Sequence, residues 1–307
     1  MRWLALAGVL AVLSLATPCL GQIESDPTDL DLDGIPGVLP APANPQPPVP
    51  SVLTGTGRLL IDRSHRGNFN VSGFTNFLAS QGWVIADHPL GGGPISASVL
   101  SGYDILLVPD LSGSTSIDPY SASEIAAVQA FLGEENGLWI IDDAGDNAGI
   151  NTLALAFGVT FHIDQIEDPT NNEGHWFWPT IYQLEPHPVS AGVESYGYYL
   201  GACLGVTPPA ISICRADEDA YSYNCPVGSR PPTLAVWEST GRAVFSGDIT
   251  PLSPPWWASI RPEERLLLQN IANWLLGDSP TSASTTTWGN VKSIYAAPAN
   301  QREEVRP

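Results

Sequence analysis

Between residues 58 and 142 the chain alternates short, almost unbroken apolar runs with stretches in which apolar side chains recur every three or four positions. Arg58-Leu59-Leu60-Ile61-Asp62, Trp83-Val84-Ile85, Ile105–Val108 closed by Pro109, and Leu138–Asp142 have the length and continuity of buried strands. Between the first two, Phe74, Phe77 and Leu78 fall at helical spacing ahead of Gly82, a natural C-terminal stop. Ser96 is placed to cap a brief helix carrying Val99 and Leu100. Ser121 and Glu124 have capping-box spacing and open a helix whose Ile125, Val128 and Leu132 share one face. Three strand–helix units feeding a fourth strand predict an α/β fold, with a mostly parallel, doubly wound sheet and helices on both faces.

The pattern resumes near the end. Leu234–Trp237, the Thr240-Gly241 turn and Ala243–Phe245 predict a hairpin that runs into Ser246-Gly247-Asp248. Pro262–Leu276 predicts a closing helix with Leu267, Leu268, Ile271, Trp274 and Leu275 inward, started by Pro262 and ended by Gly277. The chain between the fourth strand and the hairpin has no sustained period and reads as a loop-rich insertion.

The ends carry different signals. Arg2, the apolar run Trp3–Ala16 and Cys19-Leu20-Gly21 have the order of an export signal, with a cut before Gln22. Residues 1–21 are therefore expected to be a signal peptide, and the protein to be secreted, periplasmic or on the cell surface. Residues 22–56 form an acidic and then Pro-rich linker, and 57–277 the folded domain. Residues 278–287 form a Ser/Thr linker, and 288–307 a tail. No other stretch is long and apolar enough to span a bilayer.

A net charge of −20, with Lys292 the one lysine, excludes nucleic acid and anionic lipid as natural partners. Once the leader is removed, Cys203, Cys214 and Cys225 remain in one Pro/Gly-rich region. They predict one disulfide and one spare thiol, with Cys214–Cys225 the expected pair and Cys203–Cys214 its competitor. Asp29-Leu30-Asp31-Leu32-Asp33-Gly34 matches the first half of a calcium loop, but Pro40 stands where the bidentate glutamate would be. Asp29, Asp31 and Asp33 would give weak calcium binding at most, and no other cofactor is expected.

The arrangement resembles the class I glutamine amidotransferase-like superfamily, in its exported branch. The matching residues are Leu60-Ile61-Asp62 with His65, Tyr103–Pro109, the Ser121–Leu132 helix, His187-Pro188-Val189 with Gly192-Val193, Ser246-Gly247-Asp248 and Asn270–Leu276. They cover about residues 57–277. The same first half is similar to a domain of gliding-motility and intraflagellar-transport proteins. The resemblance implies a flavodoxin-like sheet, and from the latter proteins it suggests sugar binding. It also implies a cysteine after the fourth strand, where this chain has Asp142-Asp143-Ala144-Gly145-Asp146. No cysteine lies between Cys19 and Cys203, so amidotransferase chemistry is excluded.

In such sheets ligands gather at the carboxyl ends of the strands. That edge should assemble His65, Arg66, Asn68, Asp110, Asp142 and Asp143, with a tryptophan from Trp176, Trp178 or Trp256 over them. Carboxylates, an amide and an indole face suit a hydroxyl-rich ligand. The expectation is a non-catalytic binding or cell-envelope module for a glycan or envelope component. The alternative is a metal-dependent hydrolase using Asp142, Asp143, Asp146 and His65.

Overall fold

The computed structural model describes residue 53 and residues 55–67, 69–109, 118–145 and 147–277. The expected signal peptide, most of the expected 22–56 linker, the 278–287 linker, the tail, Asp29, Asp31, Asp33, Asn68, Asp110 and Asp146 lie outside these residues. Among the described residues no helix is long and apolar enough to cross a membrane.

The first half is a run of strand–helix units: β1 (Arg58–Asp62), α1 (Ser72–Ser80), β2 (Val84–His88), α2 (Ala97–Leu100), β3 (Ile105–Pro109), α3 (Ala122–Leu132) and β4 (Gly137–Ile141). The insertion follows, with α4 (Ala148–Ala154), β5 (Val159–Gln165), β6 (Thr180–Ile181), β7 (Gln183–Leu184), β8 (Tyr196–Gly197), β9 (Ala202–Val206) and β10 (Ile211–Arg215). The hairpin β11 (Pro232–Glu238) and β12 (Arg242–Ser246), then α5 (Pro254–Ser259) and α6 (Pro262–Leu275), close the domain.

Eight strands form the main sheet in the order β2-β1-β3-β4-β12-β11-β10-β7. The pairs among β2, β1, β3, β4 and β12 are parallel, whereas β11, β10 and β7 add an antiparallel flank. The chain leaves β1 toward β2 and returns to β3 on the other side, so the winding reverses between β1 and β3. This is the doubly wound, flavodoxin-like α/β arrangement expected from the alternation of elements.

Alternation of side chains along each strand divides the core in two. Leu59, Ile61, Leu107, Trp139 and Ile141 pack with Phe74, Leu78, Leu267 and Ile271 from α1 and α6. Leu60, Leu106, Val108, Leu138 and Ile140 face Leu100, Val128, Leu132 and Ile150 from α2, α3 and α4. A one-residue slip of β3 against the Leu106↔Leu138 register would swap its side chains between two differently packed buried layers, so the register is fixed by the fit of each layer and not by exposure. Each fully buried Leu or Ile contributes roughly 1.5–3 kcal/mol to the fold.

Local signals match the elements they announce. Ser121 accepts from the Glu124 amide while Glu124 reaches back to the Ser121 amide, completing the capping box of α3. Ser96 accepts from the Val99 amide at the start of α2. Gly82, at φ 91°, turns the chain out of α1 as only a residue without Cβ does readily. The second strand starts one residue later than the pattern predicts and runs on to His88. Trp83 instead packs into the core as the chain enters β2. The fourth strand begins and ends one residue early, which leaves Asp142 just past its end.

The disulfide corrects an expectation: Cys203 on β9 is joined to Cys225, with Cα atoms 6.6 Å apart, and Cys214 is the free thiol. Cys214 stands in the sheet opposite Leu234 and Leu184, and its side chain belongs to the core. Burial pushes its thiol up to about 12. The Cys214–Cys225 pairing is thus not formed, although all three cysteines belong to the same core cluster.

Candidate functional site

Two polar groups lie along the carboxyl edge of the sheet, one past β1 and one past β4 and β12. At the first, Asp62 ends β1 fully buried. Its Oδ1 accepts from the Ser64 amide and hydroxyl at 2.8 and 2.7 Å, and its Oδ2 from the Tyr120 hydroxyl at 2.6 Å. His65 Nδ1 lies 2.9 Å from Asp62 Oδ2, and His65 Nε2 3.1 Å from Glu124 Oε1. The imidazole is stacked on Tyr120, with centroids 3.8 Å apart. Because ionised carboxylates only accept, this setting favours the imidazolium, with Nδ1–H toward Asp62 and Nε2–H facing the Glu124 charge.

Electrostatics agree with that assignment. Burial lowers the imidazole pKa, but the Asp62 hydrogen bond and the charges of Asp62, Glu124 and Asp118 outweigh it and hold the pKa above its ordinary value. Burial raises Asp62, yet its bonds from His65, Ser64 and Tyr120 bring it below the usual carboxylate range. Glu124 is also held low: burial opposes this, and donors from Ser121 and Ile95 prevail. An imidazolium with both nitrogens engaged has no lone pair for a metal or a substrate proton. His65 locks the start of α3 to the end of β1. Arg66 beside it is exposed, adopts φ 72° and pairs with Asp118 at 3.1 Å.

The second group begins with Asp142, fully buried, whose Oδ1 accepts from the Asp143 amide at 2.9 Å. Asp143 Oδ1 in turn accepts from the Ala144 amide at 2.8 Å. These are short-range turn bonds, which shape the elbow. Asp248, past β12, is buried and receives the Tyr199 amide at 2.7 Å and the Thr250 amide at 2.9 Å. Burial, with the nearby Glu264 charge adding, raises its carboxyl to about 7 against those two amides. The Tyr198 phenol is raised by burial and then by the charges of Asp248, Asp143 and Asp142. Gly247 permits this packing, since a Cβ there would collide with Tyr198 Oη and the Ala202 carbonyl. Behind Tyr198 and Asp248, beside Glu264, a cavity of about 20 Å³ holds room for a water and not for a ligand.

Aromatic rings border this second group. Tyr199 and Trp256 lie with centroids 4.5 Å apart, and Trp178 stands edge-on to Trp256 at 6.1 Å. Trp176, 53% exposed, continues the patch through Phe177. Tyr199 donates to Glu264, which also accepts from Arg261, and Arg261 pairs with Glu173 at 2.8 Å. Arg261 Nη2 is buried without a hydrogen-bond partner. Trp257, next in sequence to Trp256, instead packs on Phe74 and Phe77 in the core.

Of the expected site residues, the structure thus groups Asp142 and Asp143 by Tyr198 and joins Trp178 to Trp256. It gives His65 a closed set of internal partners past β1. Arg261, Tyr199, Asp248 and Glu173 were not singled out from the sequence. Asp248 could have been, because Ser246-Gly247-Asp248 follows a strand directly. Arg261 and Glu173 meet only through folding and left no local signal. His187 accepts the Val189 amide at 3.2 Å and packs edge-on to Trp274, and burial lowers its pKa to about 4. It caps a turn.

No protein-family model matches the chain, and no curated protein matches it significantly. Among solved structures, the chain is similar to the mmIFT52 N-terminal domain, at 15% identity and a TM-score of 0.57 over 71% of this chain and 97% of that one. The shared feature is the fold. Neighbours also include a ThuA-like protein from Bacteroides uniformis, at 15% identity and a TM-score of 0.44 over 78% of this chain and 98% of that one. A glutamine amidotransferase from Thermotoga maritima aligns at 12% identity and a TM-score of 0.44 over 72% of this chain and 99% of that one.

Proposed function

We propose that this chain is an exported, non-catalytic amidotransferase-like domain that binds a hydroxyl-rich ligand, a glycan or other envelope component, at the Trp178–Tyr199–Trp256 patch. The observation that supports this most is the meeting of Trp178, from a loop, and Trp256, on α5, which come from distant parts of the sequence. Indole faces cover the apolar side of a sugar ring, while the partly exposed Arg261–Glu173 pair beside the patch offers hydrogen bonds to its hydroxyls. The hydrolase reading would need His65 as a ligand or base, and both of its nitrogens are engaged by carboxylates. The elbow Asp142-Asp143-Ala144-Gly145 carries no Ser, Cys or Thr to act as nucleophile, which argues against the covalent catalysis of amidotransferases.

A glycan array probed with the whole chain tests the reading. Trp178→Ala and Trp256→Ala should each weaken the glycan bound by the wild type at least tenfold, or about 1.4 kcal/mol. Binding indifferent to both changes, or absent from every glycan, counts against it.

A further inference from the structure

Away from the strand edge, the insertion brings together three carboxylates with no role in the reading above. Asp168, Asp217 and Asp219 place carboxylate oxygens within 4.8 Å of one another. They come from two loops, one after β5 and one after β10. Among the described residues none of the three forms an ion pair with Arg or His. Arg230, on the neighbouring stretch, is taken by Glu218.

Asp168 is the telling member. It is fully buried, and its Oδ1 receives the Thr170 and Asn171 amides at 2.9 and 2.7 Å. Its Oδ2 is buried with no hydrogen-bond donor at all. A buried, unpaired carboxylate oxygen beside two further carboxylates is costly unless a cation shares the site. Burial, with Asp217 and Asp219 adding repulsion, raises the Asp168 carboxyl despite its two amides. Neutral oxygens stand at hand: the Thr170 hydroxyl lies 2.7 Å from Asp219 Oδ2, and the Asn171 amide bonds Asp217. Turning that amide over would present its oxygen to the cluster.

We infer that Asp168, Asp217 and Asp219 form a calcium site that clamps the 166–173 loop to the 215–221 loop. The metal follows from the donors. All are oxygens, with no thiolate or imidazole in the cluster, which suits a hard cation over zinc or copper. Irregular loops supply them, which suits the flexible, high-coordination shell of Ca²⁺ better than the strict octahedron of Mg²⁺. The clamp would add to the Glu167–Tyr221 bridge and the Tyr221–Glu167 hydrogen bond that already join the same loops. It would also fix the chain leading to Trp176 and Trp178, since the Asp168 amide donates to the Trp176 carbonyl at 2.7 Å and the Glu173 amide to the Trp178 carbonyl at 2.8 Å. The site stands whether or not the aromatic patch binds sugar.

Calorimetric titration of the chelator-treated whole chain with Ca²⁺ provides the test, with Tb³⁺ luminescence sensitised through Trp176 and Tyr221 as a second readout. A set of three changes, Asp29→Asn with Asp31→Asn and Asp33→Asn, separates the N-terminal aspartates from this cluster. Asp217 and Asp219 are half-exposed, so Asp217→Asn with Asp219→Asn should leave the fold intact, which circular dichroism confirms. The expected result is one ion with a dissociation constant on the order of 10⁻⁴–10⁻³ M that survives the N-terminal changes. The double change should remove that ion and its Tb³⁺ signal. An unchanged stoichiometry in the double variant, or no ion bound by the N-terminally changed chain at about 10 mM Ca²⁺, overturns the inference.

Discussion

His65 shows how a residue type that suggests chemistry can be committed to structure. Its position after a buried strand was legible from Leu59-Leu60-Ile61-Asp62. Its partners were not, because Tyr120, just before the cap of α3, and Glu124, in its first turn, lie more than fifty residues away. His65→Gln would strand Asp62 as a buried anion, so a loss of about 3 kcal/mol is expected in chemical denaturation. The sign of the pH dependence follows from the shifts. The raised His65 pKa gives stability that is complete below 6.5 and disappears as pH rises through the folded value. The lowered Asp62 and Glu124 values give stability that is complete above 3.8 and 4.5 and is lost as pH falls through their folded values. Denaturation across pH should therefore show His65→Gln losing the alkaline part of this dependence. Equal alkaline slopes in variant and wild type would refute the imidazolium. Asp248 behaves oppositely to the other two acids, because its raised pKa makes it protonated in the fold at mildly acidic pH. Stability should fall as pH rises between 3.8 and about 7, and its carboxyl carbon should titrate near 7 by NMR. A midpoint in the ordinary carboxylate range would refute its desolvation.

At the scale of elements, signals carried within a few residues were readable and pairings across long separations were not. The Ser121–Glu124 capping box, the Gly82 stop, the hairpin turn and the inward face of α6 all follow from local spacing. The insertion defeats such reading, because β6, β7 and β8 are two residues each and are set by partners elsewhere. The cysteines show the same limit: the sequence put them in one region, and only the fold shows that Cys203 and Cys225 are the two that meet. Cys203→Ala with Cys225→Ala should cost about 2–4 kcal/mol in unfolding experiments under oxidising conditions. Cys214 should stay unmodified by thiol reagents until the protein unfolds. Rapid native labelling of Cys214, or reduction without any loss of stability, would contradict the pairing found here.

For the whole molecule, the doubly wound sheet gives a carboxyl edge of the kind where this architecture usually places ligands, and its two polar groups serve different ends. The group past β1 is bonded inward, around His65. The group past β4 and β12 borders the partly exposed Trp178 and Trp256 and the Arg261–Glu173 pair, which is where the ligand is proposed to bind. Individual tryptophans could be picked from the sequence, but that Trp178 and Trp256 meet while Trp257, beside Trp256 on α5, packs on Phe74 and Phe77 required the fold. The most direct measurement is an NMR titration of the whole chain with neutral and amino-sugar oligosaccharides, observing the tryptophan indole N–H and histidine ring resonances together. The account predicts saturable shifts of the Trp178 and Trp256 indoles, with the His65 ring unmoved and the sugars intact. Shifts centred on His65 with both indoles still, or cleavage of the oligosaccharide during the titration, would contradict it.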